Sequence, residues 1–114
     1  MKVKVREQGK VVVFDVSGRV MGGPDADTFH NLVKEHIAGG RKQILVNLAK
    51  VNWINSTGLG ILIAAYTSIR DAGGEFKLAN IGDRIESILM VTKLSGIFES
   101  YETEEEALAS FTGR

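Results

Sequence analysis

The feature that most constrains the fold of this chain is the alternation of its hydrophobic period. Residues 2–6 alternate charge with Val, the period-two pattern of a strand with one wet face, and Gln8-Gly9 supplies a turn into a second strand. That strand, Val11-Val12-Val13-Phe14-Asp15-Val16, is more continuously apolar and belongs deeper in a sheet. After Met21-Gly22-Gly23-Pro24 the spacing turns helical: Phe29, Leu32, Val33 and Ile37 share one face, Asp25 or Asp27 is the expected cap, and Gly39-Gly40 stops the helix. Residues 44–48 read as a strand, and a helix follows from Ser56 to near Gly73-Gly74. Residues 76–79 read as the next strand, and Ile85, Ile88 and Leu89 give another helix its stripe. A short strand is expected at 97–101. Thr103 with Glu106 three residues later has the spacing of a capping box for a last helix docked by Leu108 and Phe111. This order predicts an α/β domain with a mostly parallel mixed sheet of about five strands, begun by an antiparallel hairpin, and about four helices.

A chain of 114 residues, 44% of them apolar, suits one domain over 1–114 with a single packed core. With no Cys there is neither a disulfide framework nor a thiolate metal site. Fourteen basic residues balance fourteen acidic ones, so no electrostatic footprint for nucleic acid or an anionic membrane exists, and a protein partner is expected. No apolar run approaches the ~20 residues of a membrane span, and the N-terminus lacks a signal-peptide core. The expected location is the cytoplasm.

Chemistry concentrates where the strand at 44–48 gives way to a helix, in Asn55-Ser56-Thr57-Gly58-Leu59-Gly60. Asn, Ser and Thr all favour N-caps, because their oxygens accept backbone N–H groups that the first helical turn leaves unpaired. The same N–H groups and the positive end of the helix dipole favour a phosphate. Ser56 therefore reads as a cap, as a phosphoryl acceptor, or as both, and Thr57 as a local hydrogen-bonding group or a second acceptor. Gly58 and Gly60 each cost a helix about 1 kcal/mol relative to Ala. Close approach explains them, either of a neighbouring strand or of a partner. Leu59, Leu62, Ile63 and Tyr66 form one stripe, while Ile61, Ala64 and Ala65 carry apolar character to other faces, more than one sheet contact requires.

The pattern of these residues resembles the Asp-Ser-Ser/Thr-Gly-Leu-Gly signature of the anti-sigma factor antagonists, bacterial members of the STAS family. Gly73-Gly74, the strand Phe76-Lys77-Leu78-Ala79-Asn80 and Leu94-Ser95-Gly96-Ile97-Phe98 extend the likeness over nearly the whole chain. The resemblance implies the STAS fold and a phosphorylation-switched binding module that is not an enzyme. Ser56 matches the family's phosphorylated serine. The implied partners are an anti-sigma factor serine kinase and a phosphoserine phosphatase, and no cofactor or metal is implied. The partner surface comprises Asp25, Asn55, Ser56, Thr57, Gly58, Leu59, Gly60, Ile61, Ala64 and Ala65. Asn55 stands where the family usually has Asp, which either weakens phosphorylation or, if the residue only caps the helix, serves as well. The alternative reading is a STAS scaffold or subunit of a signalling or lipid-transport complex with little or no phosphorylation.

Other candidates read more plainly. Trp53 is expected as an apolar plug beneath the loop, with an interface anchor as its alternative. His30 and His36 fall on different helical faces and cannot share a metal. No Lys follows Gly60 as in a P-loop, the third Gly of a dinucleotide fingerprint is missing, and the first Gly of a hydrolase nucleophile elbow is missing before Ser56. Glu104-Glu105-Glu106 reads as a solvated first turn complementing a helix dipole.

Overall fold

The computed structural model describes residues 1–111. Strands β1 (Lys2–Gln8) and β2 (Val11–Val20) form the antiparallel hairpin, with Lys2 opposite Ser17 and Gln8 opposite Val11. Strands β3 (Gln43–Ile54), β4 (Glu75–Ala79) and β5 (Glu99–Tyr101) follow in parallel, in spatial order β1-β2-β3-β4-β5. Because each crossover advances one strand in the same direction, the right-handed rule puts every crossover helix on one face. Helices α1 (Pro24–Ala38), α2 (Ser56–Asp71) and α3 (Gly82–Val91) accordingly share a single core with that face, including Phe14, Phe29, Val46, Leu62, Ile69, Leu78 and Leu89. The opposite face is covered by one short helix, α4 (Glu104–Ser110), which lays Ala107, together with Phe111 just beyond it, over Val11, Val13, Leu45 and Ala79.

Several local expectations change. Neither Asp25 nor Asp27 caps α1: Gly23 is its N-cap, Pro24 opens the first turn, and both carboxylates lie inside that turn. Pro is suited to that place because its missing N–H has no helical partner to lose. Strand β3 runs on to Ile54 instead of ending at 48, because pairing with β2 survives two register shifts, between Asp15 and Ser17 and between Gly18 and Arg19. Strand β5 is only three residues long, since Ile97 and Phe98, where the strand was expected to begin, donate their N–H groups back to the Leu94 carbonyl, which opens the 3₁₀ turn Leu94–Gly96.

Helix α4 is tied down at both ends. Thr103 caps it, its hydroxyl accepting from the Glu106 N–H at 3.1 Å. Glu104 is not a freely solvated member of an acidic run: it takes hydrogen bonds from Arg6 and from Asn47 Nδ2, and Arg6 also grips Asp15. The Arg6 hydrogen bonds hold the Glu104 carboxyl below the usual carboxylate range, against the opposing effect of its partial burial. At the other end the buried Lys77 ammonium donates to the Ser110 carbonyl at 2.8 Å, pairs with Glu99 at 3.0 Å and lies 4.8 Å from the Phe111 ring centroid.

Candidate functional site

The corner between β3 and α2 is built by Asn55. Its backbone is extended (φ −113°, ψ −176°), its N–H donates to the Val20 carbonyl at 3.4 Å, and its Oδ1 accepts the Gly58 N–H at 2.8 Å. The side-chain amide therefore caps the helix. Ser56, at the first helical position, is relieved of that duty: it is exposed, and among the described residues its hydroxyl makes no hydrogen bond. No acidic residue occupies the first turn of α2, so negative charge added at Ser56 would meet the helix N-terminus without a like charge in that turn.

Among the described residues the Thr57 hydroxyl does not make the local hydrogen bond expected of it. Its methyl packs against the β2–α1 loop, where a Cβ built on Gly22 would fall 2.4 Å from Thr57 Cγ2. Gly58 answers the close-approach question in favour of the neighbouring strand, since a Cβ there would sit 1.9 Å from the Val20 carbonyl oxygen. Gly60 faces open space, with nothing within 4 Å of a Cβ.

Burial divides the expected partner surface in two. Gly58, Leu59, Ile61 and Ala65 belong to the core, Ala65 at 1% exposure and Ile61 at 6%, so these four cannot meet a partner. The apolar excess on α2 arises because the helix is packed on more than one side, against α1 as well as the sheet. Ser56, Thr57, Gly60 and Ala64 remain exposed, spaced so that they form one strip of small residues along α2. Asp25 is half-buried and accepts from the Met1 amino group at 3.3 Å.

Two further large side chains are exposed: Met21, for which no role was expected, and Trp53, whose alternative role was an interface anchor. Met21, in the loop before α1, is 42% exposed. Trp53 is 41% exposed and is no plug: it lies open under the Arg84 guanidinium, 5.4 Å from its ring centroid. Met21 left a signal in the sequence, an apolar side chain beside Gly22-Gly23-Pro24 with no place in either periodic stripe. Arg84 left none, because the β4–α3 loop that brings it to Trp53 is a tertiary feature. His36 packs its ring on Phe14 and contacts the Leu32 carbonyl through Nδ1, and among the described residues no group of three or more His, Asp or Glu could hold a metal. No described helix is long and apolar enough to cross a membrane.

The sequence matches the family model of the STAS domain over residues 2–107. The chain belongs to the STAS domain family. A Thermotoga neapolitana protein provisionally named an anti-sigma factor antagonist is 35% identical over 80 residues, covering 70% of this chain and 71% of that one. The crystal structure of a Thermotoga maritima protein of the same provisional name superposes with a TM-score of 0.86 at 25% identity, over 96% of this chain and 93% of that one. The anti-sigma factor antagonist SpoIIAA, in its unphosphorylated form, shares the fold with a TM-score of 0.73 at 17% identity, over 99% of this chain and all of its own. A STAS domain is thus presented here with its α2 corner open.

Proposed function

We propose that this STAS domain is an anti-sigma factor antagonist whose docking is switched by phosphorylation of Ser56. Unphosphorylated, it binds a kinase-type anti-sigma factor through the strip Ser56, Thr57, Gly60 and Ala64 flanked by Met21 and Trp53, and so frees the sigma factor. The kinase then transfers a phosphoryl group: Ser56 Oγ attacks the γ-phosphorus of ATP, ADP leaves, and the hydroxyl proton passes to the kinase's own base. A phosphoserine phosphatase hydrolyses the ester and resets the module. This chain supplies only the acceptor and the surface, and it is a substrate and binding protein, not an enzyme.

The observation that carries this reading is the division of labour between Asn55 and Ser56. With the cap supplied by Asn55 Oδ1, the Ser56 hydroxyl is exposed and unbonded among the described residues. Phosphate adds about −1.5 to −2 charges at neutral pH, placed at a helix N-terminus that favours them. The fold therefore tolerates the modification, while a partner packed on Gly60 and Ala64 meets new charge and bulk. SpoIIAA, which shares the fold, has been solved in phosphorylated as well as unphosphorylated form. Calorimetric titration of a kinase-type anti-sigma factor with wild type and Ser56→Asp tests the switch. Weaker binding by Ser56→Asp at an unchanged melting temperature is expected, and equal affinity contradicts it.

A further inference from the structure

Trp53 has an arginine on each side. On β2 its register partner is Arg19, and the next pair along, Val20 and Ile54, is buried in the core beneath the helices. Because side chains alternate across a sheet, Arg19 and Trp53 look to the opposite face, which α4 covers only over Val11, Val13, Leu45 and Ala79. From the other side, beyond β4, the first turn of α3 brings Arg84 over the ring, 5.4 Å from its centroid. Both arginines are exposed, and among the described residues neither makes an ion pair or a hydrogen bond, not even Arg84 with its neighbour Asp83. A crevice of about 250 Å³ opens beside Trp53 and Arg84, between the end of β3 and the start of α3, with Asn52, Asn80 and Gly82 in its walls.

Two unpaired cations around an exposed tryptophan add nothing to the core, but they select a partner by charge. A guanidinium that covers a ring with its flat face keeps its N–H donors free at the edges, in the fork that fits a carboxylate bidentately. Stacking also fixes the side chain beforehand, so less rotamer freedom is lost on docking. Trp and Arg are the residue types enriched where binding energy concentrates. Trp53 stands three residues before Ser56, at most about 11 Å along the chain, whereas an interface of about 800 Å² per partner centred on Ser56 reaches about 16 Å. A partner docked at the corner therefore extends as far as the ring.

We propose, on the reading that the anti-sigma factor docks around Ser56, that Arg19 and Arg84 clamp a carboxylate of that partner, which carries an acidic side chain where it meets Trp53. Calorimetric titration of the unphosphorylated chain with a kinase-type anti-sigma factor tests this. Arg19→Gln and Arg84→Gln should each weaken binding about tenfold, with unchanged circular dichroism. Arg84→Lys keeps the charge without the flat fork and should recover only part of the loss. Raising the salt from about 0.1 M to about 1 M, where the Debye length falls from about 10 Å to about 3 Å, should weaken the wild type more than the variant lacking both arginines. Wild-type affinity in both Gln variants overturns the clamp, and this is also the outcome if the arginines serve only a phosphate on Ser56. Should Ser56→Asp still bind more weakly in that case, the switch itself stands. A wild type that does not bind the anti-sigma factor overturns the clamp and the docking reading together.

Discussion

Replacing Gly58 by Ala should cost this domain about 2 kcal/mol of stability, while the same change two residues on should help it. A Cβ at Gly58 falls 1.9 Å from the Val20 carbonyl oxygen, 2.7 Å from its carbon and 3.1 Å from Ile54 Cγ1. Two of these neighbours are backbone and cannot rotate away, so β2 and α2 must part by about 1 Å in an interior packed to crystal-like density. Overpacking of this kind costs about 1–3 kcal/mol and occasionally more, and the clash with main chain argues for the upper end. Helix propensity returns about 1 kcal/mol. The net loss is about 2 kcal/mol. At about 2.1 cal/mol/K of unfolding entropy per residue, the 114-residue chain has about 0.24 kcal/mol/K, so Gly58→Ala should melt about 8 °C below wild type. Gly60, with nothing within 4 Å of its Cβ, receives only the propensity gain, up to about 4 °C. Circular dichroism melts of the two variants provide the comparison. Equal melting temperatures would show that α2 does not press on Val20 and that the corner is built differently.

Three further substitutions probe the structure. Glu104→Gln should destabilise by about 1–2 kcal/mol at pH 7; because Arg6 depresses the carboxyl below its ordinary 4.5, its contribution is complete above that value and fades as pH falls through the lower folded value. Melting curves of wild type and Glu104→Gln should therefore converge in acid, and a constant gap would place the effect elsewhere. Lys77→Met removes the donor that holds the Ser110 carbonyl and the partner of Glu99, so hydrogen exchange of the α4 amides should quicken ahead of the sheet, and undiminished protection would show that Ala107 and Phe111 suffice to dock the helix. Asn55→Asp keeps an oxygen in place to cap Gly58 and adds charge at the helix N-terminus, for a gain of about 0.3–1 kcal/mol; the same variant should be phosphorylated faster by the cognate kinase, and an unchanged rate would mean that the amide serves as well as the carboxylate.

The strand and helix order was legible because most elements have a clean period and several boundaries a chemical signal, as at Gly39-Gly40 and Thr103. What escaped notice was set by contacts distant in sequence. Strand β3 outruns its apolar stretch because β2 continues to pair with it through bulges, which no local pattern encodes. Ile61 and Ala65 looked like a spare apolar face, but α2 is sandwiched between α1 and the sheet, so hydrophobic excess meant burial on a second side. Asn55 and Ser56 were recognised as capping types in the right place; which of them caps depended on a one-residue difference in where α2 begins. Trp53 was expected first as a plug because the Arg84 guanidinium that lies over it comes from α3, distant in sequence.

The central claim is that Ser56, released from capping by Asn55, receives the phosphate. Wild type and Ser56→Ala should be incubated with the cognate kinase-type anti-sigma factor and ATP, then compared by intact mass and by tandem mass spectrometry of the peptide that spans the corner. One phosphate on Ser56 in the wild type and none on Ser56→Ala is the predicted result. Equal labelling of the two proteins, or phosphate on Thr57 in place of Ser56, would contradict it.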